Sequence, residues 1–299
     1  RVGVGSLCED KGQKGLSHLI EHSIYHSSKK YPQIESEVKN LGGYTNAATT
    51  TYDTNFYITL DNNKKENIEK AVDILSDMIY NPNFDKLDKE KAIVKAEIEK
   101  YNQDENQLTT NLLIKQLINS DYESDLVAGD EKTIDSIKKE DLFNYHKKYY
   151  NPNNITCSIT SEFEPDELIK SVSKSFLEAS KNRGQTIAQK PIFPISRGVK
   201  RKDVVSKNDT QGYLRLGFLI PGAKNAKEQV RINALVQLIS TLTNFYGLNS
   251  SLNDNYNILS LEANLSKTNE YELLFNLKEQ LEKFKLDSID DYQIEYIKN

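Results

Sequence analysis

Two histidines four residues apart with a glutamate between them, His18-Leu19-Ile20-Glu21-His22, constrain this chain more than any other stretch. On a helix, positions i and i+4 project from one face about a turn apart, where two imidazoles can bind one ion. Glu21 follows His18 by three residues and precedes His22 by one, so its carboxylate falls beside that ion. There it can reach a metal-bound water and act as a general base. The order H-x-x-E-H reverses the commoner H-E-x-x-H. A catalytic zinc takes three protein ligands and leaves a fourth position for water, so a third ligand is required, and the pattern does not name it. His26 continues the series but lies about 80° around the helix from His18, and Ser27-Ser28-Lys29-Lys30 marks the helix end. His146 reads as a structural or surface residue. Cys8 and Cys157 are the only cysteines. They support neither a disulfide framework nor a cysteine metal site, and both read as ordinary buried thiols.

At 299 residues the chain exceeds one hydrophobic core, so two domains are expected. A net charge of −5 with 28% charged residues describes an acidic surface without the single-sign field that draws in nucleic acid. No run approaches the roughly 18 apolar residues of a membrane span. Neither nucleic acid nor membrane is expected as a partner, and the chain reads as soluble and cytoplasmic. It opens without Met inside the strand-like Arg1-Val2-Gly3-Val4-Gly5, so upstream residues, with any targeting signal, are expected to be missing.

A polar loop from Glu9 to Gly15 leads into the histidine helix, and a second helix, Ile34 to Leu41, stops at Gly42-Gly43. Tyr44 to Leu60 reads as a strand with a polar, edge-like first half, Phe56, Ile58 and Leu60 alternating in the second. Apolar residues at three- and four-residue spacing predict a helix over Lys64–Tyr80. Further helices are expected over 86–103, 108–118 and 138–149, then a strand at Ile155–Thr160. Residues 181–202, with Gly184, Pro191, Pro194 and Gly198, have the composition of a linker. Beyond it, 212–220 and 258–265 read as strands and 226–242 as a helix. The expected fold class is α+β: two related domains, 1–180 and 203–299, each a mainly antiparallel sheet with helices packed on one face.

Gly15-Leu16-Ser17-His18-Leu19-Ile20-Glu21-His22 resembles the zinc motif of the pitrilysin/insulysin family of inverted-motif zinc metallopeptidases, which includes mitochondrial processing peptidase. Leu41-Gly42-Gly43-Tyr44-Thr45-Asn46-Ala47-Ala48-Thr49 is similar to the family's Gly-Gly followed by Asn-Ala-x-Thr. Tyr149-Tyr150-Asn151-Pro152-Asn153-Asn154 is similar to its Tyr-Tyr-x-Pro-x-Asn turn. The family's third zinc ligand is a glutamate about 75 residues after the second histidine, in a helix reading Glu-Lys-x-x-Val-x-x-Glu-Ile, and Glu90 to Ile98 fits that pattern. The resemblance therefore implies Zn²⁺ held by His18, His22 and Glu97, with Glu90 as a carboxylate orienting a ligand histidine. It also implies that Asn46 and Ala47 hold a peptide substrate added as an extra strand.

In active members the second domain commonly supplies an arginine and a tyrosine. The nearest counterpart here is Ser250-Ser251-Leu252-Asn253-Asp254-Asn255-Tyr256, with Asn253 in the arginine's place and Tyr256 as the candidate tyrosine. Family members enclose substrate between two related halves. One half, truncated after Asn299, implies a homodimer or a heterodimer with a related subunit. The expected function is a zinc-dependent endopeptidase acting on peptides or small unfolded proteins, with Glu21 activating a zinc-bound water. The alternative is a non-catalytic peptide-binding or scaffold subunit.

Overall fold

The computed structural model describes residues 1–10, 12–61, 64–117, 127–179, 198, 200–203, 212–242, 245–251, 256–265 and 270–283. Apart from residues 198 and 200–202, the expected linker lies outside the described residues, and so does Asn253. The chain divides into two compact units, Arg1–Lys100 with Asp125–Pro191, and Tyr101–Ser124 with Ile192–Asn299.

The first unit begins with α1 (Leu16–Tyr25) and α2 (Ile34–Asn40), followed by the antiparallel strands β1 (Gly43–Thr49) and β2 (Thr54–Leu60). The single strand expected over 44–60 is therefore a hairpin. Its turn is made by Thr50, whose Oγ1 accepts from the N–H groups of Tyr52 and Asp53 while its own N–H donates to the Asp53 carbonyl. A hydroxyl that satisfies two backbone donors folds the chain back without glycine. Val2 bridges Thr54 on one side and Ile155 on the other. The expected opening strand and the strand at 155–160 are thus reduced to single bridges at Val2 and Ile155, extending the β2 side of the sheet.

Helices α3 (Lys65–Tyr80), α4 (Leu87–Gln103), α6 (Glu131–Ser136), α7 (Lys139–Tyr149) and α8 (Pro165–Ala179) complete this unit, and α5 (Glu105–Leu117) belongs to the other. Sequence periodicity did not disclose α6 or α8. α6 is short and held by a capping box between Asp130 and Thr133, and α8 packs along α3. The core gathers Leu16, Leu19, Ile20 and Ile24 of α1 with Ile74 and Met78 of α3 and Val94 and Ile98 of α4. Each such side chain contributes about 1.5–3 kcal/mol on burial. His146 is buried among them, with Nε2 2.7 Å from the Ile79 carbonyl and its ring stacked on Tyr150, so it is structural. Cys8 is half-buried and Cys157 exposed, not the two buried thiols expected, and they do not pair in a disulfide.

In the second unit β3 (Tyr213–Pro221), α9 (Ala226–Leu242), β4 (Tyr246–Ser251), β5 (Tyr256–Asn264) and α10 (Glu270–Lys283) follow in order, with β5 central in the antiparallel order β3-β5-β4. A central strand is buried on both faces, which is why Ile258, Leu259, Leu261 and Ala263 read as a nearly continuous apolar run. Val236, Leu273 and Leu277 pack on it from α9 and α10. α5 lies on β3, where Leu113 comes so close to Gly217 that a Cβ there would sit 2.6 Å from its Cδ1. Buried Arg215 ties α5 down, pairing with Glu262 across the strands at 2.7 Å and donating to Thr109 and Asn106. No described helix is long and apolar enough to cross a membrane.

Gly15 governs how α1 enters the core: its φ is +87°, and a Cβ there would lie 2.3 Å from the Ala128 carbonyl oxygen. Gly15→Ala combines left-handed strain with that clash. It is expected to cost about 2–4 kcal/mol, read as a lower urea midpoint of unfolding.

Candidate metal centre

α1 is buried on nearly every side, since Leu16, Ser17, Leu19, Ile20, Glu21, Ser23 and Ile24 all face the interior. The stripe left over carries His18, His22 and Tyr25. α4 presents Glu90, Val94 and Ile98 inward, and Glu97 sits at the border of that face. The two helices bring together three atoms able to ligate a metal: His18 Nε2 to His22 Nε2 is 3.2 Å, His22 Nε2 to Glu97 Oε2 is 3.5 Å, and His18 Nε2 to Glu97 Oε2 is 3.7 Å. Ligand atoms around a tetrahedral zinc, each at about 2.0–2.1 Å from it, lie about 3.3 Å from one another. The donor set therefore fits zinc. Among the described residues, His18, His22 and Glu97 form the one cluster of histidine, cysteine or carboxylate groups close enough to hold a metal ion.

The surroundings favour ligation. Burial, with the neighbouring His22, drives the His18 pKa down to about 3, so its imidazole is neutral over the physiological range. Burial also lowers that of His22, against the opposing pull of Glu97 and Glu90. A neutral ring offers the lone pair a metal needs. Glu90 is 2% exposed, and its Oε2 stands 3.9 Å from both His22 Nδ1 and His26 Nε2. The His22 ring thus lies between Glu97 on its Nε2 side and Glu90 on its Nδ1 side, although 3.9 Å is beyond hydrogen-bond reach. His26 points to Glu90 and Glu35 and does not join the triad.

Glu21 is 8% exposed, with Oε2 3.9 Å from His18 Nε2 and accepting a 3.0 Å hydrogen bond from Thr49 Oγ1. Burial raises its pKa to about 7, Glu97 adding to the effect and the Thr49 bond opposing it. Sequence reading quoted Thr49 within a motif but missed this contact, because it depends on how α1 lies along β1. Tyr25 marks the same alignment, its hydroxyl donating to the Thr45 carbonyl at 2.7 Å.

Asn46 and Ala47 sit on β1 opposite Tyr57 and Phe56, and the Asn46 side chain accepts from the Ala47 N–H at 2.9 Å. Among the described residues β1 pairs only with β2, leaving its other edge open. Tyr256 opens β5 in the second unit.

The family description "Insulinase (Peptidase family M16)" matches residues 1–130, which hold the whole cluster, and "Peptidase M16 inactive domain" matches residues 136–299. The chain is 30% identical over 222 residues to "Uncharacterized zinc protease YmxG" of Bacillus subtilis, covering 73% of this chain and 52% of that one. It is 24% identical over 198 residues to "Probable mitochondrial-processing peptidase subunit beta" of Arabidopsis thaliana, covering 64% of this chain and 36% of that one. It spans about half or less of the length of these curated relatives. A solved protease from Helicobacter pylori superposes with a TM-score of 0.79 at 21% identity, covering 99% of this chain and 76% of that one.

A carboxyl whose folded pKa lies above its unfolded value stabilises the fold below about 4.5 and loses that contribution as pH rises through about 7. Glu21→Gln removes that dependence. The stability of metal-free Glu21→Gln relative to wild type is expected to rise by on the order of 2–3 kcal/mol between pH 5 and pH 8, measured by urea unfolding across that range.

Proposed function

This chain belongs to peptidase family M16, and on that footing we propose that it carries the metal site of a zinc-dependent endopeptidase acting on peptides or small unfolded proteins. The observation that carries the reading is the convergence of two neutral imidazoles and one carboxylate at zinc-like spacing beside a second, buried carboxylate. His18, His22 and Glu97 are the ligands in this reading. A zinc ion held there would lower the pKa of a bound water toward about 7 and polarise the scissile carbonyl.

Glu21 takes the proton of the attacking water on its carboxylate and passes it to the leaving amine. Its pKa of about 7 without metal suits a group that must both accept and return a proton near neutrality, and a bound cation would draw that value down. Thr49 holds one oxygen of Glu21 and so limits its rotation. Glu90 places its carboxyl on the far side of His22, 3.9 Å from Nδ1, and favours the ring orientation that turns Nε2 toward Glu97. Asn46 and Ala47 receive the substrate backbone along the open edge of β1, gaining main-chain hydrogen bonds with little demand on sequence. A second, related half completes the substrate chamber in this reading, as the name of the Arabidopsis relative, a subunit, suggests.

The test is zinc content together with cleavage of a mixed peptide library. Wild type is expected to bind one zinc. Glu21→Gln should keep it while losing about 10²–10⁴-fold in turnover, and Glu97→Gln should lose zinc affinity by tenfold or more. Persistent cleavage by zinc-loaded Glu21→Gln would remove Glu21 from the role of base. A zinc-loaded wild type that binds peptides but cleaves none, alone or mixed with a related subunit, would favour a scaffold role.

A further inference from the structure

Glu9 is a buried carboxylate outside the metal cluster, 4% exposed. Its Oε2 accepts from the Gly15 N–H at 2.8 Å and its Oε1 from the Ser17 N–H at 2.7 Å. Those donors belong to the capping residue and the second residue of α1. A helix leaves its first N–H groups without partners, and a Ser, Thr, Asp or Asn at the cap normally supplies the acceptor. Gly15 occupies that place with a left-handed backbone and has no side chain to offer. Glu9 therefore caps α1 from the preceding loop, placing its oxygens at the positive end of the helix dipole.

The same turn is held from a second side. Ser17 Oγ lies 2.8 Å from the Tyr145 hydroxyl of α7, which donates onward to the Gly5 carbonyl at 3.3 Å. Ser17 is the residue immediately before His18. Taking a carboxylate out of water is costly, and burial pushes the Glu9 pKa up to about 7 against the two N–H bonds and Lys14, which lower it. One capping bond does not require a carboxylate at that depth. A rigid bridge across two N–H groups, fixing their spacing, does use both oxygens.

We propose that Glu9 is a positioning residue for the metal centre. By bridging the Gly15 and Ser17 N–H groups it sets the bearing of the first turn of α1, and through that turn the direction in which His18 presents Nε2 toward His22 and Glu97. The zinc-affinity arm of the test rests on the zinc-peptidase reading; the amide-exchange arm does not.

The experiment compares wild type, Glu9→Ala and Glu9→Gln, with Phe84→Ala as a control for general destabilisation, since the Phe84 ring packs edge-on against Phe143 and His146. In metal-free protein, hydrogen exchange at the Gly15 and Ser17 amides is expected to speed up about tenfold or more in Glu9→Ala. Zinc affinity, read by chelator competition, should fall by on the order of tenfold in Glu9→Ala and by less in Glu9→Gln, which keeps one acceptor oxygen. It should not fall in Phe84→Ala at an equal loss of melting temperature. Wild-type exchange and zinc affinity in both Glu9 variants would overturn the proposal, as would an equal loss of affinity in Phe84→Ala. Should Glu9→Ala fail to fold, Glu9→Gln carries the same comparison. A wild-type chain that takes up no zinc would count against the peptidase reading, and amide exchange would still decide the role of Glu9.

Discussion

The convergence of α1 and α4 on one point is the constraint from which the rest of the candidate metal centre follows. Two imidazoles and a carboxylate, drawn from helices far apart in the chain, meet within 3.7 Å of one another. Polar groups do not crowd together unless something holds their backbones there. Leu16, Leu19, Ile20, Ile24, Val94 and Ile98 do so as members of one buried cluster, each contributing on the order of the penalty that a poorly solvated polar group imposes. His18, His22 and Glu97 stand on the remaining faces of the same helices. Core packing and the geometry of the cluster are therefore a single requirement on α1.

Desolvation then sets the chemistry. The same burial that keeps His18 and His22 neutral keeps Glu21 protonated up to about pH 7. Without a cation His18, His22 and Glu21 are thus largely uncharged below about pH 7. A divalent ion would reverse this balance, favouring an ionised Glu21 beside imidazoles that need no deprotonation at neutral pH. Thr49 and Glu90 refine the arrangement by holding a carboxylate oxygen and flanking a ring. Their contacts are weaker than those of the core, but they act directly on the groups that carry charge.

Local sequence disclosed the helices that carry the cluster. The spacing of His18, Glu21 and His22 requires a helix, and the alternation of apolar residues in 64–80 and 86–103 is strong enough to bound α3 and α4 within a residue or so. The place of Glu97 beside the histidines was legible only through a family resemblance, because nothing local tells a carboxylate that joins such a cluster from a solvated one. The hairpin at Thr50–Asp53 was missed because a threonine hydroxyl makes its turn, without the Gly or Asn that usually announces one. The strands at 1–5 and 155–160 shrank to bridges because their pairing depends on Val2 lying between two partners distant in sequence. The support given by Glu9 was hidden for a related reason. Its signal is an absence, a helix that begins at Gly15 with no capping side chain, and the acceptor that fills the gap lies in the preceding loop.

The most direct measurement of the proposed metal centre is X-ray absorption at the zinc edge of the chain loaded with one equivalent of zinc. The expected spectrum shows two imidazoles and further oxygen ligands at about 2.0–2.1 Å in four-coordinate geometry, with one imidazole lost in His18→Ala. A sulfur shell near 2.3 Å, or an imidazole count unchanged in both His18→Ala and His22→Ala, would contradict it.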